Sequence, residues 1–481
     1  MFEKSVVNKS MFWSLFGEVA SKFIVPITTM ILARILVPED FGVIAICNMV
    51  VSFADIITDA GFGKYLVQHD FANEEEKYKN ADVAFWSNFV LSCLSVIIIF
   101  FAKKNIAQGL GDEKYASAIF VSSIQLLFTA FSSIQIGLFR RSFDYKKLFI
   151  ARLAVALLPL LTAIPIALLT KSYWALIIGN LMGALGNAII LSVLSPWSPR
   201  LFYSFRIFKE MFSYSFWSLC EGMAHWVIFW VDTFIIAMFF SEYYVGIYKN
   251  SANIVMSLFG VVSASMSPVL LSSLSRLKNE KNDFFDLFLL LQRLLAYVVL
   301  PMGLGLYFFR HLATLIVFGE QWMEAADVIG WWGIMMMISV VFYTFVAELY
   351  KSKGIPQKLF LFQVLYLVFM IPMCFLAAKH GFWILVYTRC ACVIEQVVVC
   401  MILLKIVFDF NPIIMLRNVL KPFVATIPII ICGLFSILSD NNTIHQVVLV
   451  CLSVLLYVFF VFLFYRNDIV HIFSRVQKYK L

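Results

Sequence analysis

Apolar residues in this chain occur in runs long enough to cross a lipid bilayer, and the runs recur from end to end. A membrane-spanning helix needs about 20 apolar residues. Such runs lie near residues 11–36, 41–63, 81–102, 115–138, 148–169, 173–194, 211–240, 243–274, 287–309, 328–349, 359–378, 382–404, 422–438 and 446–464. No soluble core uses so many: 62% of the 481 residues are hydrophobic and 14% charged, against roughly half and a quarter in soluble domains. The predicted fold is an all-α polytopic membrane protein of about 14 transmembrane helices.

The basic residues test that count, because cytoplasmic loops hold the Lys and Arg excess. With both termini inside, the inner segments carry 25 of the 37 basic residues and the outer loops six, the other six lying within spans. An odd number of helices would scramble the alternation. The net charge of +8 is thereby read as a topology signal, and no nucleic-acid partner is expected. The first span is too long for a signal-peptide core and lacks a small-residue cleavage pattern, so it is expected to be retained. All nine cysteines fall in or at apolar spans, which reads as core packing; no metal site and no cofactor are expected.

A second pattern is duplication. Phe12-Trp13-Ser14-Leu15 returns as Phe216-Trp217-Ser218-Leu219, and the same offset of 204 residues aligns Ala20 with Ala224, Ile24 with Ile228, Thr29 with Thr233, Ile31 with Ile235, Ala33 with Ala237 and Gly42 with Gly246. Ten of 31 positions match, where this composition gives about three by chance. The expected organisation is an N-lobe of helices 1–6 over residues 1–198 and a C-lobe of helices 7–12 over 199–408. Helices 13–14 and a basic cytoplasmic tail follow over 409–481. An even number of helices per copy makes the repeat parallel, as in alternating-access transporters. The C-lobe opens on an interfacial linker from Ser198, where Leu201, Phe205, Phe208 and Phe212 recur at helical spacing against Arg200, Arg206 and Lys209; it is expected to lie flat on the cytoplasmic leaflet.

Charges inside the spans mark candidate sites, since each costs about 2.5–3.5 kcal/mol at the bilayer centre. Lys22 and Asp55 lie at matching depths near the midplane, and Glu18 is a favourable i,i+4 neighbour of Lys22. Glu221 and His225 share one face of helix 7 with Asp232 further along. Helix 8 carries Lys249, and helix 12 carries Arg389 and Glu395. Mutual neutralisation and function both remain open for this group, with Arg389 as a partner for Glu395 and the Glu221–His225 pair as a proton carrier. Arg34, Arg152, Arg293 and Glu348 are nearer helix ends and can snorkel.

The stretch Ala33 to Gln68 resembles the polysaccharide transporter branch of the MOP exporter superfamily, the Wzx-type flippases. The resemblance rests on Arg34, Leu36, Pro38, Glu39, Asp40, Phe41 and Gly42, and on Asp59-Ala60-Gly61-Phe62-Gly63. Pro38 and Gly42 bracket an outer turn, and Asp40 can cap helix 2. The resemblance implies a V-shaped fold of two lobes and export of an undecaprenyl-diphosphate-linked oligosaccharide through a hydrophilic cavity in the bacterial inner membrane. It further implies cavity cations on helices 1 and 8, here Lys22 and Lys249, to which the depth of Arg389 in helix 12 adds a third candidate, and a lipid-tail groove at helices 13–14. Asp55, Asp59, Glu221, His225, Asp232 and Glu395 are the candidates for charge pairing or for coupling to a proton or sodium ion. Membrane lipids and other polysaccharide-assembly proteins are the expected further partners. A cation-coupled multidrug exporter and a membrane glycan polymerase are the alternatives. The outer loops hold no domain for a polymerase, so no enzyme activity is expected.

Overall fold

The computed structural model of the chain describes residues 24–277, 280–353, 355, 357–438 and 443–478, and every regular element among them is helical. Eleven helices are long and apolar enough to cross a membrane, and the pair Ile413–Ala425 and Ile427–Leu438, bent by 57°, makes a twelfth. The expected count of fourteen goes beyond this. The short apolar helix Ile24–Ala33 and the 35-residue helix Glu242–Arg276 coincide with predicted spans but stand outside the twelve.

The chain forms two compact units, residues 1–249 and 250–481. The first holds α1 (Ile24–Ala33), α2 (Pro38–Asp59), α3 (Phe62–Gln68), α4 (Glu74–Gly109), α5 (Ala116–Ser123), α6 (Gln125–Arg141), α7 (Tyr145–Thr170), α8 (Trp174–Leu194) and α9 (Phe205–Phe239). It also takes in the first turns of α10 (Glu242–Arg276). The second continues with α11 (Lys281–Phe308), α12 (Arg310–Val317), α13 (Ala325–Ser339), α14 (Phe345–Ser352), α15 (Gln357–Ala378), α16 (Phe382–Phe408), α17 (Ile413–Ala425), α18 (Ile427–Leu438), α19 (Thr443–Phe464) and α20 (Arg466–Lys478).

The motif residues set the local geometry of the first unit. Asp40 accepts the Val37 N–H at 3.3 Å and the Tyr173 N–H at 2.8 Å, so it caps α2 and also ties the start of α8 to it. Ala60 and Gly61 are both left-handed, at φ 44° and 79°, and end α2 at Asp59. The expected single span over 41–63 is therefore broken there. Gly63 and Gly137 let α3 and α6 touch: a methyl group on Gly137 would stand 3.1 Å from the Gly63 carbonyl oxygen. Close backbone approach through small residues is the usual basis of helix packing in membranes.

Gly42 and Gly246, the pair aligned by the repeat, meet in space. A methyl group on Gly42 would stand 1.9 Å from the Glu242 carbonyl oxygen, and one on Gly246 would stand 1.9 Å from that of Pro38. Each glycine packs on the residue four positions before the other, so α2 and α10 cross reciprocally near their N-terminal ends. Lys114 braces the crossing through a 2.7 Å bond to Glu242.

Residues 195–204 form no helix. The buried Asp82 accepts the Trp197 indole N–H at 2.9 Å and the Arg200 backbone N–H at 3.1 Å, while the Trp86 indole donates to the Arg200 carbonyl at 2.7 Å. The amphipathic stretch expected as a separate flat helix is thus divided: its start is a connector pinned to α4, and Phe205, Phe208 and Phe212 belong to the first turns of α9.

In the second unit, α13 passes into α14 through a π-helical turn, Val340–Thr344. Such a turn loosens backbone groups, and the Gln292 amide donates to the Val341 carbonyl at 3.3 Å. The bend between α17 and α18 falls at Thr426, two residues before Pro428, which offers no N–H and crowds the preceding turn. The tail helix α20 is docked: Ile472 is fully buried with Leu290, Tyr297 and Ala425.

Candidate functional site

Polar side chains on four helices of the first unit meet at one pocket, otherwise lined by apolar residues such as Val25, Leu32, Ala163 and Leu176. Thr28 of α1, Asn48 of α2, Gln125 and Thr129 of α6, and Asn180 and Asn187 of α8 line a cavity of about 430 Å³. Pro159 of α7 closes a side, seated against the bare Cα of Gly183, where a methyl group would meet its ring at 3.0 Å. Asn180 donates to Asn48 at 3.4 Å, and the Thr129 hydroxyl donates to Asp55 Oδ1 at 2.9 Å. Asp55 is thereby held behind the pocket through Thr129, with Asp59 one turn further at the α2–α3 break. A carboxylate beside hydroxyls and amides within membrane-length helices can hold a proton or a small cation.

The other sequence candidates distribute around this site. Glu18 and Lys22, with the first FWSL copy, lie outside the described residues. Glu221 forms an ion pair with Lys64 at 3.5 Å, both side chains being exposed; His225 is exposed too, and no hydrogen bond joins it to Glu221. Asp232 is buried and accepts the Tyr248 hydroxyl at 2.8 Å and the Thr233 N–H at 2.6 Å. Lys249 is 3% exposed; its ammonium donates to the Phe229 carbonyl at 2.8 Å and sits 3.8 and 3.9 Å from the Phe229 and Trp230 ring centres. Arg34 is exposed at the end of α1, and Pro38 is buried at the start of α2.

In the second unit, the buried Arg389 donates to the Tyr366 hydroxyl at 2.8 Å and lies 5.5 Å from the Trp332 ring centre. Both carboxylate oxygens of Glu395 are enclosed and accept no hydrogen bond, so the expected Arg389–Glu395 neutralisation is not formed. Arg293 does not snorkel freely: it donates to Asn418 at 2.8 Å and to Asp468 at 2.9 Å. Sequence reasoning passed over Asp82, Thr129 and Asn48. Their signal was polarity inside apolar runs, which only a known facing helix makes specific.

Helices of membrane-spanning length with amide and hydroxyl side chains meeting at an otherwise apolar pocket define the class, a polytopic membrane protein, and the fold is shared with solved exporters. A solved lipid II flippase MurJ, in an inward closed conformation, superposes with a TM-score of 0.79 over 95% of this chain and all of its own, at 15% identity. An inward-facing multidrug resistance MATE transporter gives 0.60 over 83% of this chain and 98% of its own, at 13% identity. The particular family follows from the sequence: the chain belongs to the polysaccharide biosynthesis protein family, which matches residues 31–327. The succinoglycan biosynthesis transport protein ExoT of Rhizobium meliloti is 24% identical over 74% of this chain and 71% of its own length. The teichuronic acid biosynthesis protein TuaB of Bacillus subtilis is 22% identical over 60% and 59%.

Proposed function

We propose that this chain carries a lipid-linked oligosaccharide across the bacterial inner membrane by alternating access, supplying surface polysaccharide synthesis, and that it catalyses no covalent chemistry. Undecaprenyl diphosphate is the carrier in this reading, and both termini are cytoplasmic. The observation that carries it is the cluster of Thr28, Asn48, Thr129 and Asn180 set among apolar side chains in one pocket between membrane-length helices, which a purely structural membrane scaffold would not need. Family membership, a relative named for succinoglycan biosynthesis transport and one named for teichuronic acid biosynthesis support the cargo class. A proton or sodium ion at Asp55 supplies the coupling, and the carrier's tail lies along α11, α18 and α19.

Deleting the gene and measuring lipid-linked oligosaccharide on each leaflet tests the proposal. Accumulation on the cytoplasmic side, reversed by the restored gene, is expected; unchanged surface polysaccharide together with raised drug sensitivity would favour the multidrug exporter instead, whose fold gives the lower TM-score of 0.60.

A further inference from the structure

The second FWSL copy holds a tryptophan that helix packing does not use. Ser215 donates to the Gly61 carbonyl at 3.2 Å, and a methyl group on Gly61 would stand 3.0 Å from the Ser218 Cβ. These two serines seat α9 on the α2–α3 break, and Trp217 is turned outward at 75% exposed, steadied by Phe216 at 5.9 Å between ring centres. Tyr214, Trp217, Glu221 and His225 follow at helical spacing, so they share one flank of α9, and all four are exposed. On α3, Lys64 pairs with Glu221 at 3.5 Å and Gln68 accepts the Tyr214 hydroxyl. None of the six lines the pocket beside Thr129.

Trp217 by itself would read as an interfacial anchor, since Trp is common where helices enter the bilayer. Its flank argues otherwise. At 1.5 Å per residue, Glu221 and His225 lie about 6 and 12 Å beyond it, on either side of the midpoint of the 35-residue α9. Trp226, next to His225, bonds Ser52 at 3.0 Å, within α2 and one turn before Asp55. Ionisable side chains exposed at that depth face water and not hydrocarbon. The flank is a wet wall inside the membrane-length part of the first unit.

An open indole bordered by a carboxylate, an ammonium, an imidazole and an amide suits a sugar. A pyranose ring is apolar across its C–H face, which stacks on an aromatic face, and its rim of hydroxyls bonds most strongly to charged groups. Lys64 offsets Glu221, so the wall holds no excess negative charge that would select an organic cation.

We infer that Trp217 stacks a sugar ring of the carried oligosaccharide while Glu221, Lys64 and His225 take its hydroxyls. This rests on the transport reading proposed above and adds the residues that meet the glycan.

The test follows labelling of His225→Cys by a membrane-impermeant maleimide in the full-length protein, in membrane fragments open on both sides. Wild type, with its nine native cysteines, gives the background. Ile98→Cys is the lipid-facing control, since Leu94, Ile97, Ile98 and Phe101 form an exposed apolar flank of α4. The probe is the repeat-unit oligosaccharide released by mild acid from the host's own surface polysaccharide. His225→Cys should label and Ile98→Cys should not; the oligosaccharide should slow that labelling, and adding Trp217→Leu should weaken the protection about three- to tenfold, whereas Trp217→Tyr keeps most of it. Surface polysaccharide restored to the deletion strain, per molecule of protein, should fall in the same order. Silence at His225→Cys places the flank against lipid and overturns the inference, as does labelling that the oligosaccharide leaves unchanged; the transport reading then still stands on cytoplasmic accumulation in the deletion strain. Protection that survives Trp217→Leu, or full export by that variant, removes Trp217 from the site and overturns it too. Protection by tetraphenylphosphonium and not by the oligosaccharide overturns the inference and the transport reading together.

Discussion

Alanine at Gly42 or Gly246 should drive the N-terminal ends of α2 and α10 apart. Each new methyl group would meet a backbone oxygen at 1.9 Å, and contacts under 3.0 Å are not tolerated, so the helices must part by at least about 1.1 Å. The obstacle is backbone, and no rotamer change relieves it. Two bonds resist the shift, Lys114 to Glu242 at 2.7 Å and Asp40 to the Tyr173 N–H at 2.8 Å. Overpacking of this kind costs about 1–3 kcal/mol or more, a fall of a few degrees in melting temperature for a protein of this size. Because one separation makes room for both methyl groups, the double variant should lose much less than the sum of the singles. Thermal unfolding of the purified variants checks this, with Gly109→Ala as control, since nothing lies within 4 Å of that position. Melting within a degree of wild type, or additive losses in the double variant, would refute the reciprocal crossing.

Asp55→Asn should abolish the dependence of export on the ion gradient while the protein still inserts, and Thr129→Val should weaken it in the same direction; gradient-dependent export by Asp55→Asn would move coupling elsewhere. Asp468 carries a pH prediction. Burial raises its carboxyl, but Lys421 and Arg293 outweigh this and hold it below its usual value. The stabilisation is therefore complete above about pH 3.9 and is lost only as pH falls through the lower folded value. Proteolysis should leave α20 intact down to that range and cut it at every pH in Asp468→Asn; identical profiles would contradict the assignment. Truncation after Phe410 removes Asn418 and Asp468 from Arg293, so the shortened protein should both melt earlier and fail to export; full export would remove α17–α20 from the lipid path.

Most helices were legible because a bilayer imposes a length, and apolar length is a property of sequence alone. The duplication was legible for a similar reason, since identities at a fixed offset need no fold to be seen. Asp40 was read correctly as a cap from its position after Pro38, but its second bond, to Tyr173, links residues far apart in the chain. The break at Ala60–Gly61 was not legible from Asp59, Gly61 and Gly63 alone, because the sequence does not show which residue takes the left-handed conformation. Buried charge told that Lys249 and Arg389 need compensation, but not its form. Phe229, Trp230 and Tyr366 supply it through rings and a hydroxyl, with Phe229 adding its carbonyl. The Glu221–His225 pairing failed because spacing on one helix says nothing of the competing Lys64 on α3.

The meeting of Gly42 with Gly246 bears on ancestry. Each glycine uses the position four residues before the other, so the contact is one surface used twice, as a two-fold axis between identical subunits requires. A half-length precursor carrying this glycine would have been self-complementary at that spot and able to pair as a homodimer. Fusion of two copies would then have kept an isologous contact already in place, after which Pro38-Glu39-Asp40 and Glu242-Tyr243-Tyr244 could diverge around a crossing neither copy was free to fill.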